Sequence, residues 1–118
     1  MDFKDTKAIY LQIAERIEDE ILQGKYPEGS RIPSVREYAA TVEVNVNTMM
    51  RSFEYLQSHD IIRNKRGIGY FTADGAVAAI RRVRKETFMK DFLPELFRQM
   101  RLLAISPEEV MQVYTSQK

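Results

Sequence analysis

The chain has 118 residues, 44% hydrophobic and 30% charged, with 18 Lys and Arg against 17 Asp and Glu. That size suits one domain, or one domain with an appendage, and that balance supports a buried core in a soluble chain. The absence of cysteine and the single histidine, His59, exclude disulfides, thiolate metal sites and a Cys nucleophile, and speak against a His-based metal site or a hydrolytic triad.

Residues 1–6 are polar and are expected to fray. From Lys7 to Gln23, Tyr10, Ile13, Ala14, Ile17 and Ile21 recur at helical spacing, and Gly24 supplies a stop. Glu15, Arg16, Glu18, Asp19 and Glu20 fall mainly off that stripe and read as a solvated face. Residues 25–33 form a turn-rich connector around Pro27 and Gly29. Within it Arg31-Ile32 suits one short extended pairing, because Pro33 biases the residue before it away from helix.

Ser34 then caps a helix, and Glu37 completes a capping box. Val35, Tyr38, Ala39 and Val42 share one face of it. Glu43-Val44-Asn45 breaks the pattern, and Asn45 caps a second helix whose apolar face is Val46, Met49, Phe53 and Leu56. Two amphipathic helices joined so tightly must cross sharply to share a core. That is a helix-turn-helix, whose second helix fits a DNA major groove. The second helix ends near Ser58-His59-Asp60. Asp60 takes the left-handed position there, and His59 is an exposed residue facing the negative end of the helix dipole.

Ile61–Lys65 and Gly69–Thr72 read as two strands joined by Arg66-Gly67-Ile68, a wing that carries Arg63, Lys65 and Arg66. Residues 74–118 change character. Val77, Ile80, Val83, Phe88, Met89, Phe92 and Leu93 continue at helical spacing until Pro94, which kinks the helix or opens a new one. Ser106-Pro107-Glu108-Glu109 starts a last helix with Val110, Met111, Val113 and Tyr114 on its apolar face. This segment is too short for a large core of its own and too apolar for a tail, so a partner surface is expected. Packing back onto the first helix is the alternative.

Tyr10-Leu11-Gln12-Ile13-Ala14, Gly24, Gly29, Arg31 to Glu37, Asn47-Thr48, Leu56, Ile61-Ile62 and Arg66-Gly67-x-Gly69 together resemble the DNA-binding domain of the GntR family of bacterial transcription regulators. The resemblance covers residues 7–73 in order and spacing. The helical tail is similar, more loosely, to that of the YtrA subfamily, whose short C-terminal part dimerises. Val46 and Met50 depart from the pattern, since many members carry Arg or Pro at the first position and Arg or another polar residue at the second. Asp60 stands where glycine is usual.

The expected architecture is therefore mainly α (α+β): a winged helix-turn-helix domain over 1–74 and a helical dimerisation segment over 75–118. The resemblance implies a non-enzymatic, cytoplasmic repressor that binds a palindromic operator in double-stranded DNA as a homodimer, with no cofactor, metal or membrane span. It places DNA contacts at Arg36, Asn45, Asn47, Thr48, Arg66 and Gly67, and the charge pattern adds Arg51 and Lys65 as phosphate-positioning cations. Asn suits a bidentate contact to adenine, and a short Thr suits phosphate or a thymine methyl; the cations position the backbone. Dimerisation is expected through Phe88, Phe92, Leu96, Phe97, Met100, Leu103, Val110 and Tyr114. A formal net charge of +1 keeps a second class open, a winged module that binds protein. A third is a regulator that senses a small-molecule effector between subunits.

Overall fold

In the computed structural model, which describes residues 7–117, the chain forms two compact units, Met1–Arg81 and Arg82–Lys118. The stretch expected to fray, residues 1–6, lies outside the described residues. The first unit contains α1 (Ile9–Leu22), α2 (Val35–Val42), α3 (Val46–Ser58), β1 (Ile62–Lys65), β2 (Gly69–Thr72) and the start of α4 (Ala76–Thr87). The second contains the rest of α4, a π-helical turn over Phe88–Phe92, α5 (Leu93–Leu103) and α6 (Pro107–Ser116).

The core of the first unit is built from the stripes that the spacing predicts. Ile13, Ala14, Ile17 and Ile21 from α1 meet Val35, Tyr38 and Ala39 from α2 and Met49, Phe53 and Leu56 from α3. Phe53 sits fully buried at the centre, edge-on to Tyr38 at 5.9 Å and to Tyr70 of the wing at 4.9 Å between ring centroids. Tyr26 of the connector adds a further edge contact to Tyr38 at 6.1 Å. One run of T-shaped aromatic pairs thus ties connector, α2, α3 and β2 together.

Two charged residues leave the expected solvated face of α1. Glu18 is buried, and Glu20 accepts the Tyr38 hydroxyl at 2.7 Å while Lys25 lies 3.5 Å from its carboxylate. Glu20 is drawn in because the buried Tyr38 phenol needs an acceptor. Burial, and the hydrogen bonds with Tyr26 and Glu20, push the Tyr38 phenol well above its ordinary pKa.

The sheet has two antiparallel strands, with Ile62 opposite Thr72 and Lys65 opposite Gly69. Arg31 adds an antiparallel bridge to Phe71, and the Ile32 amide donates to the Tyr70 carbonyl, as expected for the extended pair before Pro33. The division of the chain falls after Arg81 rather than after residue 74, because Ala76 and Ile80 of α4 are buried in the same core cluster as the three leading helices. A further tie holds the α4 start. The Glu28 carboxylate accepts from the amides of Gly75 at 2.9 Å and Val77 at 3.1 Å, which lowers its pKa. It acts as a cap for α4 supplied from 47 residues upstream.

In the second unit the expected continuous helix is interrupted. The π-turn Phe88–Phe92 stacks Phe88 on Phe92 at 4.9 Å, and Pro94 enters α5 in its first turn, where no amide donor is needed. A left-handed Ala104 ends α5. Ser106 and Glu109 form a full capping box for α6.

Candidate nucleic-acid interface

Three sequence-local devices present the candidate surface of the first unit. At the start of α2, Ser34 Oγ accepts the Glu37 amide at 3.2 Å and the Glu37 carboxylate accepts the Ser34 amide at 2.9 Å. Those hydrogen bonds, with the charge of Arg31, hold the Glu37 carboxyl below its ordinary pKa. The box fixes the first turn, on which Arg36 is exposed. Between the helices, Glu43 takes a left-handed conformation (φ 57°), and the Val44 amide returns to the Ala39 carbonyl at 3.0 Å. This is the sharp turn that lets α3 cross α2.

At the start of α3, Asn45 Oδ1 accepts the Asn47 amide at 2.7 Å. The side-chain oxygen of Asn45 is therefore engaged as a cap. Asn47 is exposed and Thr48 half-buried. Val46, expected on the inner face of α3, is 37% exposed instead. The inner face begins at Met49, and Ser52 continues it, buried, with its hydroxyl on the Tyr10 carbonyl at 2.7 Å. Arg51 lies with its guanidinium 4.0 Å from the Tyr10 ring centroid, a cation–π contact that joins α3 to α1.

The wing completes the surface. The Lys65 carbonyl accepts the Ile68 amide at 2.9 Å, closing a tight turn that needs the positive φ of Gly67 (79°). Lys65 Nζ lies 4.3 Å from the Phe71 ring centroid, and Arg66 is exposed at the tip. Gly69 serves a different purpose. A Cβ there would stand 3.0 Å from Arg31 Nε, so the bare backbone admits the Arg31 side chain. Sequence reasoning assigned Arg31 only to the extended pairing. Its place beside the wing, and the exposure of Val46, needed the fold to be seen.

The second unit carries the expected apolar surface. Leu96, Phe97, Met100, Val110 and Tyr114 line one groove of about 320 Å³ between α5 and α6. Phe88, Phe92 and Leu103 lie outside that groove and are also exposed. Among the described residues no group of acidic and histidine side chains could hold a metal ion, and no helix is long and apolar enough to cross a membrane.

Residues 9–72 match the family model described as bacterial regulatory proteins, gntR family. The chain is 33% identical over 110 residues to the HTH-type transcriptional regulator YhcF of Bacillus subtilis, spanning 93% of this chain and 89% of that one. It is 30% identical over 96 residues to the HTH-type transcriptional repressor YtrA of the same organism, covering 81% and 73% of the two chains. A crystal structure from Bacteroides thetaiotaomicron assigned to the GntR family superposes with a TM-score of 0.73 at 56% identity, over 92% of this chain and 95% of that one. This is a family of transcription regulators rather than enzymes. The capped α2–α3 pair and its wing are its helix-turn-helix domain, and the chain belongs to the GntR family as a YtrA-like, DNA-binding regulator of transcription.

Proposed function

We propose that this protein is a cytoplasmic repressor that binds a palindromic operator as a homodimer through the tail over 82–118. The observation that carries the dimer is the apolar surface of the second unit. Phe88, Phe92 and Phe97 are between 45% and 50% exposed, and Leu103 and Tyr114 are more than 60% exposed. Fully burying one such side chain contributes roughly 1.5–3 kcal/mol, so leaving several wet is a large loss that a second copy removes. Pairing identical faces gives a two-fold axis, and a two-fold dimer reads a two-fold site. The groove between α5 and α6 is lined almost wholly by carbon, which suits a partner's side chain better than an oriented polar effector.

In this reading Asn47 and Thr48 contact base edges. Arg36, Lys65, Arg66 and the backbone at Gly67 contact phosphate, with Arg31 beside them. Asn45 serves first as the cap, and Arg51 braces α3 against Tyr10. The likeness to YtrA, itself named a transcriptional repressor, supports repression over activation. The test is selection of duplexes from a random pool by the full chain. A two-fold symmetric pair of half-sites supports the proposal, and an asymmetric or single half-site overturns it.

A further inference from the structure

We propose that Val46 and Met50 are specificity-determining residues that recognise thymine methyl groups in the major groove. The inference rests on the DNA-reading face proposed above and names what that face reads. The inner side of α3 is complete without these two residues: Met49, Ser52, Phe53 and Leu56 are buried there, and neither Val46 nor Met50 belongs to the core cluster. Both are exposed instead, at 37% and 39%. They stand one helical turn apart, so they are neighbours on the surface, and Asn47 is exposed beside them.

The surrounding chemistry narrows the partner. Positions 45–50 contain no Arg or Lys, so the bidentate donor that best recognises guanine is missing from the first turn of α3. The nearest cation along the helix, Arg51, is engaged on the Tyr10 ring. Glu54, exposed one turn beyond Met50, places a carboxylate where phosphates would repel it, which limits the reading face to the beginning of the helix. What remains beside the half-buried Thr48, whose own short side chain can meet a base edge, is an amide and two exposed apolar side chains. In the major groove an A·T pair offers an acceptor–donor edge on adenine, which suits Asn47, and a C5 methyl group on thymine, which suits an apolar side chain. The unbranched thioether of Met50 adapts to the methyl position more readily than a branched residue would.

Deoxyuridine tests this directly, because it pairs as thymine but lacks the methyl group. In the duplex selected by the full chain, each thymine is replaced singly by deoxyuridine and the affinity measured. The expected result is a loss of about fourfold for each recognised methyl, at one or two positions per half-site. Met50→Ala and Val46→Ala are each expected to abolish the penalty at one of those positions, whereas Met50→Leu retains it. Both positions are exposed, so thermal unfolding of the variants is expected to match the parent and confirm that folding is intact. Indifference to deoxyuridine at every position overturns the inference while leaving DNA reading in place. So does a penalty that persists unchanged in both alanine variants. A full chain that selects no duplex at all removes the reading face itself, and this inference with it.

Discussion

Asn47 and Arg66 are both exposed but are expected to fail in different ways. Asn47 stands at the start of α3, where an amide can satisfy two adenine groups at once. Asn47→Ala is expected to cost about 1–3 kcal/mol on the selected site and much less on random DNA, measured by competition binding. Equal losses on both would make Asn47 a positioning residue. Arg66 stands at the wing tip beside a left-handed Gly67. Arg66→Ala is expected to weaken every duplex alike and to lower the slope of log affinity against log salt by about one unit per lost phosphate contact. An unchanged slope would take the wing out of the interface. Asn45 and Val46 show where residue-level reading stops. A cap is a local event, legible in an Asn placed directly before the second helix. The burial of Val46 depends on what α3 packs against, and the apolar pattern alone assigned it to the wrong side.

The elements held by neighbouring residues were the legible ones. The Ser34 capping box, the capped helix start at Ser106, the stop at Gly24, the wing hairpin and the α2–α3 turn are decided within a few residues, so spacing revealed them. The π-turn at Phe88–Phe92 was not legible, because apolar residues continue through it at helical spacing. Nor was the Glu28 cap on α4, whose two ends lie 47 residues apart in the chain. That cap makes a pH prediction. Its carboxyl has a folded pKa below the ordinary value of 4.5, held there by the Gly75 and then the Val77 amide. A depressed acid stabilises the fold above its unfolded pKa and loses that contribution as pH falls through the folded one. Glu28→Gln is therefore expected to lower the melting temperature at neutral pH and to leave a shrinking difference from the parent as the pH falls below 4.5, by scanning calorimetry. A difference that stays constant with pH would contradict the assignment. Phe53 is the corresponding test of the core. Phe53→Ala empties the junction of α2, α3 and β2, and a loss of about 3–5 kcal/mol is expected in denaturant unfolding.

Across the whole molecule the account asks one fold to do two things, to present a reading helix and to pair with its own copy. The exposed carbon of the second unit motivates the pairing. Phe97→Glu places a charge in that apolar groove and is expected to dissociate the dimer and abolish tight operator binding. Because Phe97 is 45% exposed, the first unit's thermal unfolding is expected to stay unchanged. The domain division near Arg81 matters for any truncation, since ending the chain at Asp74 would strip Ala76 and Ile80 from the core. The most direct measurement uses the intact chain: sedimentation equilibrium at micromolar concentration, alone and on the selected duplex. The account predicts a dimer in both cases, with two chains on each duplex. A monomer in solution that also binds as a single chain per duplex would contradict it.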